Sequence, residues 1–535
     1  MMFNSIAFLI AFAVFLILYG FCPERLRRYL LLAAGAVFVA VNSWPAAIWA
    51  LVITAANFLL GLCVERTSQR KAAMGFAAAF NVVALVGFKL LDVSMLGASF
   101  YLFSFISYLA DIGRGTIRAE IDPLRFASFS FFFPKYIQGP ITRYDELSGQ
   151  FDRPRYSLSN VQTGLSYFIT GLAMKVLVAD KLGVLFGGKF EALSTIGYES
   201  IDTKLAWLGA ISTSLNIFVD WQAYTFMAIG IAGALGYKLP QNFNYPYMAR
   251  TIGDYYRRWH MTLMRWFKDY VYIPLGGSRK GLCRTIANVL LVWLLTSLWH
   301  ANGLSAKYLI WGLLATAAVI ADPIWSRAMS RRFRENDQDG DSPLPVKILG
   351  HIWLIAMIPI SVLVLRKPAN GLNFLLWGLT IGACIVLERL WKTYVTERLQ
   401  IGRRLEKNPA VSRIWNGFVT FLAHVWVLIP ILVTWVMFTI RDYGELSVYL
   451  GRLFPAAGQS GGASELDFWD KWNAIGPYVL VGTFLCFPYL ERWLLKLNHS
   501  RVGRWVLSAA MAILFWITVY HLQKSGSDPM GYAAF

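Results

Sequence analysis

Long apolar runs separated by short basic loops dominate the chain. The first block has runs at 3–21, 29–44, 46–64, 72–91 and 95–111. Further runs lie near 285–300, 305–322, 346–366, 371–390, 413–440, 476–491 and 503–521. Runs of about 17 to 25 apolar residues are long enough to cross a bilayer as helices. The pattern therefore predicts an all-α, polytopic integral membrane protein with about eleven to thirteen membrane spans.

The middle of the chain departs from this simple pattern. The aromatic stretch 126–144 is interrupted by Pro134, Gly139 and Pro140, which predicts a half-helix or re-entrant loop rather than a straight span. Residues 161–186 predict an apolar helix, and residues 205–236 a long helical hairpin. Asp220 lies inside the second segment. An ionisable residue there is a candidate functional residue, with a helix cap or an interfacial position as the alternative.

The segment DYYRRWHMTLMRWFKDYVYIPLGGSRKG (254–281) combines aromatic and cationic residues. Large apolar residues recur from Tyr256 to Tyr270 in steps of three and four, which predicts one face of a continuous helix. The opposite face carries Arg257, Arg258, Arg265 and Lys268. Such a helix lies along a membrane interface more readily than across it. A purely anchoring role remains the alternative.

Two of the six histidines have contexts that suit chemistry. His260 follows Trp259 beside the predicted apolar face, and His300 ends the apolar run NVLLVWLLTSLWH. A desolvated imidazole stays neutral and can accept a proton as a general base. The other histidines are expected to be structural: His351, His424, His499 and His521.

Composition supports the membrane assignment. The chain is 57% hydrophobic and 15% charged, with a mean hydropathy of +0.49. Its net charge of +19 is expected from cytoplasmic loops of a membrane protein, not from nucleic-acid binding. The basic loops at 23–28, 65–71 and 114–125 fit one side of the membrane, which puts the N-terminus outside. The run Phe3–Phe21 is expected to be a retained span, because it has no basic n-region or cleavage site. The five scattered cysteines predict neither a disulfide framework nor a metal site.

Several blocks together resemble the membrane-bound O-acyltransferase (MBOAT) family. The similarity is to its bacterial branch, which includes the alginate O-acetylation and teichoic-acid D-alanylation membrane proteins. The blocks are FFFPKYIQGPITRY (131–144), DWQAYTFMAIGIAGALGYKLPQNFNYPY (220–247), DYYRRWHMTLMRWFKDYVYIPLGG (254–277), SLWH (297–300) and VTWVMFTIRDYGELSVYLGRLF (433–454). The resemblance implies N-terminal spans over 1–125, a catalytic core over 126–440 around a central tunnel, and a C-terminal region over 441–535.

The resemblance also implies a reaction and the residues that perform it. The family transfers an acyl group from a thioester to a hydroxyl, so His300 takes the place of the catalytic histidine and His260 that of a second one. Candidates for binding the donor or lining the tunnel are Arg257, Arg258, Arg279, Lys280, Asp220, Tyr224, Asn244, Trp259, Trp299 and Gln138. The cations suit phosphates of coenzyme A or an acidic carrier protein at the cytoplasmic face, or equally anionic lipid headgroups. No bound cofactor or metal is expected.

The sequence departs from the family pattern in ways that bear on the substrate. Ala301 and Asn302 replace the usual Gly-Ala after the histidine, and HANGL (300–304) is echoed by PANGL (368–372). We therefore expect a two-helix insertion at about 303–368. Phe226 resembles the D-alanylation members, whereas YIPLGG resembles the alginate members.

Three functions stay open. The first is transfer of an acyl group, most simply acetyl, toward an exported polysaccharide at the bacterial inner membrane with an extracytoplasmic partner. The second is transfer of D-alanyl or a longer acyl group from a carrier protein. A transporter or export channel is the third, although the two halves of the chain show no repeat symmetry.

Overall fold

The computed structural model describes residues 2–90, 97–137, 139–185, 193, 197–279, 281–300, 372–391, 409–440, 442–455 and 465–527. Within these ranges every regular element is helical, which confirms the predicted all-α class. The chain divides into two compact units. The first comprises Met1–Ala249, Tyr255–Trp266 and Gly462–Ala534, and the second is formed mainly by Phe267–Gly461.

Five helices open the first unit, close to the predicted apolar runs. They are α1 (Ile6–Phe21), α2 (Glu24–Asn42), α3 (Trp44–Arg66), α4 (Arg70–Leu90) and α5 (Ala98–Arg114). Hydroxyl caps fix two of the starts: Ser5 Oγ accepts from the N–H of Phe8, and Ser43 Oγ from that of Ala46. At these two starts the hydroxyl satisfies a backbone donor that the helix itself leaves unpaired.

The interrupted segment after α5 forms short pieces. Helix α6 (Pro123–Ser130) is followed by a 3-10 turn, Phe133–Lys135, and then by α7 (Tyr144–Ser148). Pro134 has no N–H to donate, so a continuous helix cannot form through it. The prediction of broken helical structure here is confirmed, and the 3-10 turn is buried.

The next pair of helices contradicts one prediction. Helix α8 (Leu158–Ala173) continues through a π-helical segment, Met174–Ala179, as far as Leu182. The predicted hairpin at 205–236 is wrong, because α9 (Thr203–Ala234) is a single helix of 32 residues. At a rise of about 1.5 Å per residue it is about 48 Å long. No proline or left-handed residue interrupts it, so nothing in the backbone turns the chain.

Helices α8 and α9 pack with their backbones in close contact. A Cβ at Gly164 would lie 2.3 Å from the N of Ala234, and one at Gly171 would lie 2.5 Å from the carbonyl O of Ala223. Only glycine allows this approach at those two positions, as in the small-residue interfaces of membrane helices. The glycines therefore fix the position of α9 beside α8.

The segment predicted as one amphipathic helix is broken. It consists of α10 (Ile252–Arg258), α11 (Met261–Phe267) and a π-helical turn, Lys268–Tyr272. The prediction of a continuous helical face is therefore wrong. His260 has a φ of 43°, which an α-helix does not contain. The large apolar side chains, among them Trp259, Leu263 and Trp266, are buried within the protein.

The second unit contains four longer helices. They are α12 (Leu282–His300), α13 (Leu372–Trp391), α14 (Pro409–Thr439) and α15 (Tyr443–Leu453). Helix α13 packs against both α12 and α14. Its Glu388 accepts hydrogen bonds from the backbone N–H groups of Ile252 and Gly253, and so caps the start of α10.

Three helices complete the first unit: α16 (Glu465–Leu485), α17 (Tyr489–Asn498) and α18 (Arg501–Ser525). The axes of α16 and α17 are bent by 63° at a short break. The predicted run 476–491 therefore contains the break between two helices. Helix α18 corresponds to the predicted run 503–521.

Four of the described helices are long and apolar enough to cross a membrane. They are Trp44–Arg66, Thr203–Ala234, Thr420–Thr439 and Arg501–Ser525, and the bent pair α16–α17 could make a fifth. The most apolar stretch of α9 is 83% buried in the protein, against 22% for α18, so α9 is interior to its unit while α18 offers its surface to lipid. The predicted runs 305–322 and 346–366, and the insertion at about 303–368, lie outside the described residues.

Candidate functional site

His260 occupies the break between α10 and α11. Its side chain is 2% exposed, and its Nδ1 lies 2.9 Å from Oδ1 of Asn242. The same oxygen accepts a hydrogen bond of 2.9 Å from Oγ1 of Thr262. The backbone is tied in the same place, because the N–H of Met261 donates to the carbonyl of Asn242. Asn242 therefore fixes both the left-handed turn and the ring.

These contacts define the protonation state of the imidazole. An amide oxygen only accepts hydrogen bonds, so Nδ1 of His260 carries the proton and Nε2 keeps its lone pair. Nε2 has no hydrogen-bond partner among the described residues. Burial lowers the pKa of His260 to about 3, so the ring is neutral near pH 7. The imidazole is therefore neutral and oriented, and its accepting nitrogen has no partner among the described groups.

Aromatic rings enclose His260. Phe100 stacks on the imidazole at 6.0 Å between centroids, and Trp221 meets it edge-on at 4.6 Å. The candidate Trp259 lies one residue away and is buried. It stacks on Trp221 and on Tyr255, with centroid distances of 5.9 and 5.6 Å. Trp259 thus belongs to the wall that excludes water from the histidine.

The candidate cations near His260 are at the surface. Arg257 is exposed and Arg258 is partly exposed. Asn244 is also exposed. Its backbone N–H donates to the carbonyl of Arg258 over 2.9 Å, and this bond connects the loop around Asn244 to the end of α10. Arg279 in the second unit is exposed as well. These positions suit contact with a charged partner or lipid headgroup, and no described contact chooses between them.

Asp220 and Tyr224 lie in a buried polar network of the first unit. Lys175 Nζ is 3.0 Å from a carboxylate oxygen of Asp220 and 2.8 Å from one of Asp180. Asp180 accepts a hydrogen bond from Oγ of Ser527. Tyr224 donates to Oδ1 of Asn4, whose amide in turn donates to Ser527. The prediction singled out Asp220, and the structure adds the lysine that compensates its charge.

The remaining candidates are only partly described. His300 is the last residue of α12 and Trp299 precedes it, but their side chains lie outside the described part of the chain, as do Lys280 and Gln138. The base role of His300 therefore remains a prediction. Among the described residues no three His, Cys, Asp or Glu side chains are grouped to hold a metal ion.

Sequence reasoning missed two residues that hold the site: Asn242 and Thr262 orient His260. It also missed Glu388, which caps the start of α10. Asn242 lies in the segment LPQNFNYPY, whose prolines and asparagines are typical of a loop. A loop asparagine carries no periodic signal, so only the fold could pair it with a histidine 18 positions away.

The described features define a multi-pass helical membrane protein that encloses a neutral, oriented histidine. Comparison with known sequences agrees with this class: the sequence model of the "MBOAT, membrane-bound O-acyltransferase family" matches residues 115–365. The chain is 33% identical over 342 residues to a "Probable alginate O-acetylase AlgI" of Pseudomonas putida, covering 58% of this chain and 68% of that protein. The chain belongs to the membrane-bound O-acyltransferase family.

Other relatives differ in the substrate that their names give. The chain is 36% identical over 327 residues to the "Probable alginate O-acetylase AlgI" of Pseudomonas fluorescens, covering 58% of this chain and 64% of that protein. It is 38% identical over 213 residues to a "Peptidoglycan O-acetyltransferase" of Helicobacter pylori, covering 39% of each chain. It is 28% identical over 233 residues to a "Teichoic acid D-alanyltransferase" of Bacillus subtilis, covering 41% and 57%. The matches thus span about two thirds or less of these relatives.

Proposed function

We propose that the protein is an acyltransferase that moves an acetyl group from a cytoplasmic thioester donor toward hydroxyl groups of an exported cell-envelope or extracellular polysaccharide. The observation that carries the proposal is the neutral His260, held by Asn242 with Nε2 free of described partners. Family membership and the relatives named for O-acetylation support it. Acetyl-CoA or an acylated carrier protein would be the donor.

The proposed reaction needs one base and one leaving thiol. His300 removes the proton of the acceptor hydroxyl, whose oxygen attacks the thioester carbonyl; the C–O bond forms, the C–S bond breaks, and the thiolate leaves and is protonated. His260 orients or assists in this step. The cations Arg257, Arg258, Arg279 and Lys280 would hold the phosphates of the donor at the cytoplasmic face.

The membrane topology that we propose follows from the basic loops. We place the protein in the bacterial inner membrane with the N-terminus outside, because the positive-inside rule puts the loops 23–28, 65–71 and 114–125 in the cytoplasm. An extracytoplasmic acetyltransferase or other polysaccharide-machinery protein would complete transfer to the sugar. Membrane lipid is the other partner.

A second candidate is D-alanyl transfer from a carrier protein. Phe226, which suggested this alternative, is buried in α9 and meets the ring of Tyr167 edge-on at 5.3 Å. A relative named for teichoic acid D-alanylation supports the same reading. The acetyl proposal is preferred because the relatives of higher identity are named for O-acetylation.

Reconstituted protein tests the proposal directly. Purified protein in lipid nanodiscs is given radiolabelled acetyl-CoA, acetyl-carrier protein or D-alanyl-carrier protein, together with a soluble oligosaccharide acceptor and a periplasmic extract that supplies the extracytoplasmic partner. We expect label to reach the acceptor from an acetyl donor and His300→Ala to abolish this transfer. His424→Ala, a matched change in α14, should keep it. Normal acetylation by His300→Ala would reject the assigned role.

A further inference from the structure

Lys135 is a buried lysine that the function described above does not use. It ends the 3-10 turn Phe133–Lys135, and the residue is 5% exposed. Its Nζ lies 3.5 Å from the centroid of the Phe129 ring. No described residue gives this nitrogen a hydrogen bond. A buried amino group without a hydrogen-bond acceptor lowers the stability of the fold, and among the described residues Lys135 has none.

Lys135 also borders a small cavity. Its other walls include the side chains of Phe100, Tyr101, Tyr136 and Ile141. The cavity is small, with room for about one water molecule or one methyl group. No carboxylate is among the described residues that line it.

The cavity is next to the His260 site. Phe100 forms a wall of the cavity and stacks on the imidazole at 6.0 Å. Ile141 forms another wall, and its N–H donates over 3.0 Å to Oγ1 of Thr262, the hydroxyl that shares Asn242 with His260. Phe100 and Ile141 therefore link the cavity to the residues that hold His260.

We propose that this cavity is the subsite for the acyl group, and that Lys135 donates a hydrogen bond to the acyl carbonyl oxygen while the cavity takes the methyl group. The proposal rests on the acyltransferase function proposed above. It gives the unpartnered amine an acceptor, and a donor at this position stabilises the negative charge that develops on the carbonyl oxygen during attack. Whether it is charged or neutral, the amino group of Lys135 has N–H groups to donate.

The walls of the cavity determine which acyl groups fit. A propionyl or longer chain would have to displace the half-buried ring of Phe100 or the buried rings of Tyr101 and Tyr136. A D-alanyl group would bring an ammonium to a site whose described lining has no carboxylate to pair with it. The subsite is therefore selective for a short, uncharged acyl group.

Substitution of Lys135 tests the carbonyl contact. Lys135→Met keeps the length of the side chain and removes the donor, so we expect kcat for acetyl transfer to fall about 10²-fold or more, with thermal stability unchanged or raised. Lys135→Gln keeps an N–H donor and should retain kcat within about tenfold. Lys238→Met, at an exposed lysine, is the matched control and should behave as wild type.

A second variant tests the size of the subsite. Ile141→Ala enlarges the cavity, so it should raise transfer of propionyl relative to acetyl by about tenfold or more. Wild-type kcat in Lys135→Met, or an unchanged acyl preference in Ile141→Ala, overturns the subsite. If Lys135→Met does not fold, a folded but inactive Lys135→Gln overturns the donor role. Wild-type protein inactive with every donor would instead reject the proposed function itself.

Discussion

At the scale of single residues, the conformation of His260 matters as much as its chemistry. The sequence identified the histidine, but the predicted continuous helix placed it beside the apolar face. The positive φ and the Asn242 contact instead turn its ring into the buried interior. Oδ1 of Asn242 accepts hydrogen bonds from both His260 and Thr262, and so orients the imidazole while leaving it neutral.

The first prediction concerns Asn242. Asn242→Ala removes the acceptor that keeps the proton on Nδ1 of His260, so the ring can adopt the wrong tautomer. We expect kcat for acetyl transfer to fall on the order of 10²-fold. The control is Asn57→Ala, which removes another buried asparagine, paired with Asn81 at 3.0 Å. Equal kcat losses in the two variants would contradict a specific role for Asn242.

The second prediction follows from the pKa of His260. It is about 3 in the folded protein and about 6.5 when unfolded, so the unfolded chain binds more protons between these values. This histidine therefore lowers the free energy of unfolding as pH falls through 6.5 toward 3, by up to about 1.4 kcal/mol per pH unit.

The measurement compares thermal unfolding midpoints at pH 7 and pH 5. His260→Asn tolerates the left-handed backbone and does not titrate, so its midpoint should drop less on acidification than that of wild type. The same pH dependence in both proteins would show that His260 is not buried in its neutral form.

At the scale of elements, packing overrode two predictions made from local patterns. The 205–236 segment formed one helix, α9, because it packs along α8 through glycine contacts. Conversely, the regular spacing over 256–270 did not produce one helix, because the contacts of Asn242 fix a turn at His260. The spacing of apolar residues predicts which side chains are buried, but it is the same for a continuous helix and for a broken one.

The third prediction tests the α8–α9 contact. Gly171→Leu puts a side chain where even a Cβ would lie 2.5 Å from a backbone oxygen of α9. We expect it to lower the free energy of unfolding by about 1–3 kcal/mol or more, measured as a lower unfolding midpoint in detergent. Gly75→Leu in α4 is the control, since no atom lies within 4 Å of its added Cβ. Similar losses in both variants would contradict a tight interface.

At the scale of the whole molecule, one buried network joins distant parts of the first unit. Lys175 pairs with Asp180 and Asp220, and the hydrogen bonds of Ser527 and Asn4 bring in segments near both ends of the described chain. Buried ionic groups of this kind are costly when one partner is missing. The network therefore couples the integrity of α9 to both terminal segments.

The fourth prediction removes the only described cation of this network. Lys175→Met leaves two buried carboxylates without their shared partner, so we expect a loss of about 3–5 kcal/mol in the free energy of unfolding. Lys181→Met, six positions on and partly exposed, should change it by less than about 0.5 kcal/mol. The measurement is the unfolding midpoint of each purified variant. A Lys175→Met protein as stable as wild type would show that the ion pairs do not hold the unit together.

The sequence by itself determined the helical membrane class, the approximate limits of the first five helices, the broken segment around Pro134 and the family. These depend on local hydropathy, on proline chemistry and on ordered motifs. Only the tertiary structure decided that Asn242 holds His260, that Lys175 compensates Asp220, and that Lys135 borders a cavity. Each of these joins residues distant along the chain, because the partner of a buried polar group is chosen by three-dimensional packing and leaves no periodic signal in the sequence.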